Sequence, residues 1–395
     1  MNRLSSAEQI MYAELSERAH DAEFDRQFPL NGQFSKEART ISRSADETRD
    51  YWYYQGYRKA SEDHKGQRYR MYVGPAGDAA IEERIKRFQV MKSDARERSQ
   101  YVNQLKSLGN PSPEPMAGEI TKVLAEEGVF RMRGLLVGSM AYQTFGSLIG
   151  VKLPQAQMTT RDVDFAQDHG ISISIDDKTS DLLEALKRYD ESFRPVPHIS
   201  DKVGTTSYVN DRKFRVDFIT SHRASDDVSD KVTDLPSLGV GAVPLRYTDF
   251  LIKDPMRAVL LHQAGVSVRV PQPARYAVHK MIVSTERAEQ GGEKSAKDSR
   301  QASDLVVAHD LTGRGYEVAG AWMEAWERGP RWREALAKGA MRLSPNALQA
   351  LDKHVTLASP EHGFREGVKP ERALASNLPK PKAPETAQRR GDLER

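Results

Sequence analysis

Residues 134–151, GLLVGSMAYQTFGSLIGV, run without a charge through a chain in which 29% of residues are charged. Such a stretch has to be buried, in a bilayer or in a core. Its four glycines, with Ser139, Gln143, Thr144 and Ser147, make it too polar for a span of about 20 mostly apolar residues. It reads instead as a short apolar strand, MRGLLV, turning at Gly138 and Ser139 into a helix, SMAYQTFGSLIG, capped by Ser139. A buried strand-turn-helix needs a sheet and further helices around it, and this sets the terms for the rest of the chain.

The chain is long enough for that. Its 395 residues exceed a single small module and allow two or three domains. Lys and Arg number 59 against 56 Asp and Glu, too even a balance to argue for a nucleic-acid or membrane surface by itself. Cysteine is absent, which excludes a disulfide framework, a thiolate zinc site and a cysteine nucleophile, and leaves carboxylates and histidines as metal ligands. The amino-terminal MNRLSSAEQIMYAEL lacks the basic-then-apolar order of a signal peptide, so the expectation is a cytoplasmic protein with no membrane partner.

Residues 5–28 are expected to be a helix capped near Ser5 or Ser6, with Ile10, Leu15 and Ala19 on one side. Two Tyr-rich runs flank a polar turn around His64 to Gly66 and suggest a β-hairpin, although 51–62 alone also suits a helix. A charged helix over 78–107, with Asp78 as its cap, precedes the Pro111, Pro113, Pro115 cluster, which reads as a linker. Beyond it come the helix AGEITKVLAEEG, the strand-turn-helix, a strand around Val163, the alternating GISISI, the helix KTSDLLEALKRYD, and a hairpin turning at Asn210 and Asp211. Past residue 245 the pattern is LRYTDFLI, a strand-like VSVRVP, and helices over 274–289, 294–310, 316–338 and 344–353. The fold class expected is α+β, with a helical and aromatic hairpin region at 1–110, a mixed-sheet core at 116–225, a mainly helical domain at 240–357 and a disordered tail from 358 to 395.

Three features of the core carry chemistry. Gly138 and Ser139 open a helix after a strand, where free N–H groups and the positive end of the helix dipole suit phosphate oxygens. In TTRDVDFA, Asp162 and Asp164 share one face of a strand while Val163 and Phe165 take the other. Like charges held so close are costly unless a cation or water stands between them. In FRVDFIT, Phe214, Val216 and Phe218 face one way and Arg215, Asp217 and Ile219 the other, so Asp217 sits on its strand as Asp164 does. A phosphate cradle with three strand-borne carboxylates is what phosphoryl or nucleotidyl transfer requires, the acids holding Mg²⁺ against a triphosphate.

In these residues the chain resembles the nucleotidyltransferase superfamily that includes DNA polymerase β: an apolar residue, Gly, then Gly or Ser, a D-x-D strand, and a third acid on a later strand. A Tyr-rich DYWYYQ, the turn YVGP at 72–75 and the helix RYAVHKMI at 275–282 resemble a little-described bacterial branch of it. The resemblance implies a nucleoside triphosphate such as ATP as substrate, and two Mg²⁺ on Asp162, Asp164 and Asp217 as catalytic residues. Gly138 and Ser139 would lie at the β and γ phosphates and Lys280 would reach the triphosphate. The acceptor hydroxyl, on RNA, a protein or a small molecule, is left open. Between Ser139 and Asp162 lie 22 residues, a longer gap than the superfamily's usual one, with VKLPQAQMTT as the added loop.

Each feature also has a plainer reading. Gly138 and Ser139 could be an ordinary helix start, and Asp162 and Asp164 a solvated strand end paired with Arg161. Tyr276, Lys280, Ser284 and Arg287 form a stripe that could be a solvated helix face, and Lys297, Gln301 and Asp304 a set of structural ion pairs. Tyr51, Trp52, Tyr53, Tyr54 and Tyr57, among Arg58, Lys59, Arg68 and Arg70, could stack on bases or simply build a core. A non-catalytic nucleotide- or RNA-binding protein, or a toxin-like or defence-associated transferase, are the rival functions.

Overall fold

The computed structural model describes residues 1–22, 32–42, 47–58, 67–154, 160–175, 178–196, 205–222, 232–288 and 292–361. The His64–Gly66 turn, half of the VKLPQAQMTT loop and the expected tail beyond residue 361 lie outside them, while residues 358–361, expected to belong to that tail, end the last helix. The chain divides into two compact units, Met1–Gln272 and Pro273–Arg395. The Pro-rich 111–115 segment falls within the first unit, with Pro115 opening a helix.

In the first unit, β1 (Asn2–Arg3) leads into α1 (Ser6–Asp21). Ser5 caps α1 through a reciprocal capping box with Glu8. Its buried face is Glu8, Tyr12, Leu15 and Ala19; Leu15 and Ala19 lie where expected, whereas Ile10 is 69% exposed and Tyr12 takes its place on the buried side. The strands β2 (Gln33–Ser42), β3 (Glu47–Arg58) and β4 (Gln67–Pro75) form an antiparallel sheet. The Tyr-rich hairpin is therefore β3–β4, joined by a third strand that the sequence pattern did not reveal. Tyr54 is fully buried among Phe34, Tyr69 and Phe88, the last on α2 (Ala79–Ser107), so part of the aromatic run builds a core. Arg70 stacks 3.6 Å from the Tyr53 ring.

After α3 (Pro115–Glu126) come β5 (Leu135–Val137), α4 (Gly138–Ile149) and β6 (Val151–Lys152), which pairs with β1. Then follow β7 (Asp162–Ala166), α5 (His169–Ser174), α6 (Leu182–Tyr189), β8 (Arg194–Pro195), β9 (Ser207–Val209), β10 (Arg215–Ser221), β11 (Thr233–Leu235) and β12 (Val240–Leu245). GISISI is thus a short helix rather than a strand. Asp168 caps α5 by accepting from the Ile171 N–H at 3.0 Å, and Ile171 and Ile173 are exposed. The unit closes with α7 (Thr248–Leu251) and the hairpin β13 (Met256–Leu260) with β14 (Val266–Val270). The strand-like VSVRVP is thus β14 as expected, and β13 and the end of β12 are further strands in the stretch after 240.

The central sheet is mixed, in the order β11-β12-β10-β7-β5. β10 runs parallel to β7 and β12, and β5 antiparallel to β7. The first half of β10 also pairs with β9, so residues 215–217 are flanked on both sides. One face of β7 and β10 buries Val163, Phe165, Val216 and Phe218, with Phe165 stacked on Phe218 at 5.9 Å between ring centres, Phe130 tilted against Phe165 and Tyr208 edge-on to Phe218. That aromatic layer holds the two strands in register, and the opposite face is left for polar side chains.

The second unit, as described to residue 361, is helical: α8 (Pro273–Ala288), α9 (Gly292–Leu311), α10 (Gly315–Glu327), α11 (Pro330–Ala340) and α12 (Pro345–Glu361). The single helix expected over 316–338 is two. Gly329, with φ of +116°, takes a conformation that L side chains rarely adopt, and Pro330 starts α11 afresh. Among the described residues no helix is long and apolar enough to cross a membrane.

Candidate active site

On β7 and β10, Asp162 is in register with Arg215, and Asp164 with Asp217. Side chains two apart on a strand share a face, so these four form a two-by-two block. Its rows are neighbouring strands, ~4.8 Å apart, and its columns are residues ~6.6 Å apart along a strand. Three corners are carboxylates and the fourth is a guanidinium. The sequence-predicted acids thus come together on one face, Asp164 and Asp217 as immediate neighbours and Asp162 diagonal to Asp217.

The fourth corner shapes the other three. Arg215 donates from Nη2 to Asp217 Oδ1 at 2.9 Å and from Nε to Oδ2 at 3.4 Å. The same Nη2 also reaches Ser207 Oγ at 3.2 Å. Ser207 lies opposite Asp217 on β9 and its hydroxyl donates to Asp217 Oδ1. The Asp217 hydrogen bond raises Arg215 above the usual guanidinium range against the pull of burial, and the charges of Asp217, Asp162 and Asp164 add to the rise. At the outer end of the block, Thr160 donates to the Asp162 carboxylate.

Gly138 meets this block directly. Val137 pairs with Asp164 across β5 and β7, which brings the next residue against the Asp164 side chain. A Cβ on Gly138 would stand 2.2 Å from Asp164 Oδ2, and its φ of +63° is itself in the left-handed region. The turn is therefore closed to other side chains on both counts. α4 begins at Gly138, its cap position is Val137, and no side chain caps it. Ser139 is thus inside the first turn rather than the cap expected of it. The main-chain N–H groups of that turn are what the helix start offers an anion.

Asp164, Asp217, Arg215 and Ser207 line a cavity of about 380 Å³ whose walls also include Val196, Ile219 and Val243. As the side chains stand, no three acidic or histidine groups among the described residues are gathered tightly enough to enclose a metal ion. Asp217 is hydrogen-bonded to Arg215 and Ser207. The donor set nevertheless fits a divalent cation. It is all carboxylate oxygen, two of its acids are cross-strand neighbours, and the glycine lets one of them pack close to the start of α4.

Lys280, the remaining sequence-predicted site residue, is on α8 of the second unit. Its Nζ lies 2.5 Å from Asp298 Oδ1 on α9, and Arg287 Nη1 lies 2.5 Å from Asp298 Oδ2. Tyr276 donates to Gln301 Oε1 at 3.3 Å, and Ser295 on α9 donates to the Ser284 carbonyl at 2.6 Å. Tyr276, Lys280 and Ser284 are buried, so the stripe, for which a nucleotide-facing Lys280 and a solvated face were both open, is a polar seam between α8 and α9. Burial pulls the Lys280 ammonium below its usual value, against the attraction of Asp298.

The residues that sequence reasoning passed over are Arg215, Ser207 and Thr160. Two were within reach of it. Alternation along RVD places Arg215 on the Asp217 face, and a hairpin turning at Asn210 and Asp211 pairs Ser207 with Asp217.

The family model described as a nucleotidyltransferase matches residues 115–327, from the start of α3 to the end of α10 and over more than half of the chain. The protein belongs to this nucleotidyltransferase family. No curated protein and no solved structure matches it.

Proposed function

We propose that the protein is a divalent-metal-dependent enzyme that moves a nucleoside monophosphate from an NTP to an acceptor hydroxyl. The observation that carries the reading is the pairing of Asp164 with Asp217 across β7 and β10, with Gly138 packed against the Asp164 carboxylate. Asp162 and Asp164 would hold cations beside the triphosphate, and Asp217, with Asp164, one beside the acceptor. Bound Mg²⁺, two ions suited to an all-oxygen donor set, would neutralise the triphosphate and sharpen the acceptor as a nucleophile. The N–H groups of Gly138 and Ser139, at the positive end of α4, would hold β and γ phosphate oxygens.

The acceptor oxygen bonds to the α-phosphorus as the bond from that phosphorus to the β-bridging oxygen breaks, and pyrophosphate leaves. Asp217 takes the acceptor proton in this reading. Purified protein is incubated with α-labelled NTPs, Mg²⁺ or Mn²⁺, and RNA, protein and small-molecule fractions of a cell extract. Label in one fraction, lost in Asp164→Asn and Asp217→Asn, is the expected outcome and names the acceptor class. Wild-type protein that neither transfers label nor binds NTP in a metal-dependent way defeats the proposal.

A further inference from the structure

The acids of the proposed metal site share one face of the sheet, and one cationic residue stands among them. Arg215 closes the two-by-two block as its only positive corner. It binds both oxygens of the Asp217 carboxylate and shares Ser207 with it. Its side chain is 47% exposed, against 24% for Asp217. A half-exposed ion pair of this kind is weak enough to exchange for a stronger partner, and strong enough to stop three carboxylates repelling one another.

Resting on the metal-dependent reading above, we infer that Arg215 is the resident counter-ion of the carboxylate site, and that a divalent cation binds Asp217 in competition with it. Without metal, Arg215 holds the strand ends together and keeps Asp217 turned aside. With metal, Asp217 exchanges the guanidinium for the cation, and the charge of Arg215 stays at the cavity where the anionic substrate arrives. An arginine that merely positioned Asp217 for the metal would act in the opposite sense, because its loss would weaken metal binding.

The test is Mn²⁺ binding, measured by electron paramagnetic resonance on wild type, Arg215→Ala, Arg215→Lys and Asp217→Asn, with unfolding temperatures recorded with and without Mn²⁺. Arg215→Ala is expected to bind Mn²⁺ about two- to fivefold more tightly, the range a half-exposed ion pair is worth. It should also melt earlier without Mn²⁺ and gain more than wild type when Mn²⁺ is added. Arg215→Lys, which keeps the charge and loses the two-pronged hold, should fall between them and carries the test if the alanine variant does not fold. Equal or weaker Mn²⁺ binding by the Arg215 variants, with binding lost in Asp217→Asn, overturns this inference and leaves the metal site standing. Absence of Mn²⁺ binding in every protein, wild type included, overturns both.

Discussion

Two groups of charged side chains in this protein use similar residues to opposite ends. On β7 and β10, three carboxylates share one arginine, beside a cavity and partly in water. On α8 and α9, one carboxylate, Asp298, is held by Lys280 and Arg287, with Asp298 only 2% exposed. The first group has an excess of negative charge that its own residues cannot cancel, and it stays where a cation can reach it. In the second, the one buried acid has two cationic partners, Lys280 buried and Arg287 half-exposed, and Asp298 ties α8 to α9. The difference teaches that neither the presence of acids nor burial marks a site; unbalanced charge on a rigid, accessible face does.

The comparison makes separable predictions. Asp298→Ala leaves Lys280 buried without its acid and should cost about 3–5 kcal/mol in urea unfolding, with Mn²⁺ binding by the folded fraction unchanged. Lys280→Met sharpens the point, since a raised KM for NTP at intact stability would return Lys280 to the triphosphate and break the contrast. Asp164→Asn should do the reverse of Asp298→Ala. Nucleotidyl transfer should drop by about 10²–10³-fold, while the unfolding temperature holds or rises as repulsion with Asp217 is relieved.

Gly138→Ala is intermediate and should register in both assays. The left-handed backbone costs about 1–2 kcal/mol, and the new methyl displaces the Asp164 carboxylate, lowering Mn²⁺ affinity. The smallest effect lies at a third ion pair, where His262 Nε2 is 2.8 Å from Glu119 Oε2. That hydrogen bond, chiefly, holds Glu119 down at about 2 against an ordinary 4.5. A depressed carboxyl contributes stability above its unfolded value and loses it as pH falls through its folded one. Acid unfolding between about pH 4.5 and 2 should therefore be shallower in Glu119→Gln.

Much of this was legible in the chain because it follows from local rules. The cap at Ser5, the helix from Ala79, the turn at Asn210 and the shared faces of Asp162 with Asp164 and of Arg215 with Asp217 depend on near neighbours alone. GISISI misled because an alternation of six residues also fits a short helix, and Asp168 settled it by capping. The stripe on α8 could not be placed from its spacing because a polar helix face looks alike whether water, a ligand or another helix covers it. Ser139 looked like a cap because serine so often is one, whereas α4 begins at the glycine before it and Val137 holds the cap position.

Sequence alone determined which residues each strand turns toward the same side, and that a glycine stands at the start of α4. Only the tertiary structure decided that β7 and β10, some fifty residues apart, run parallel and in a register that sets Asp164 beside Asp217 and Arg215 beside Asp162. No local rule reaches that far. The register is held by Val163, Phe165, Val216 and Phe218 packing on the buried face, and a slip of one residue would turn the acids into the core.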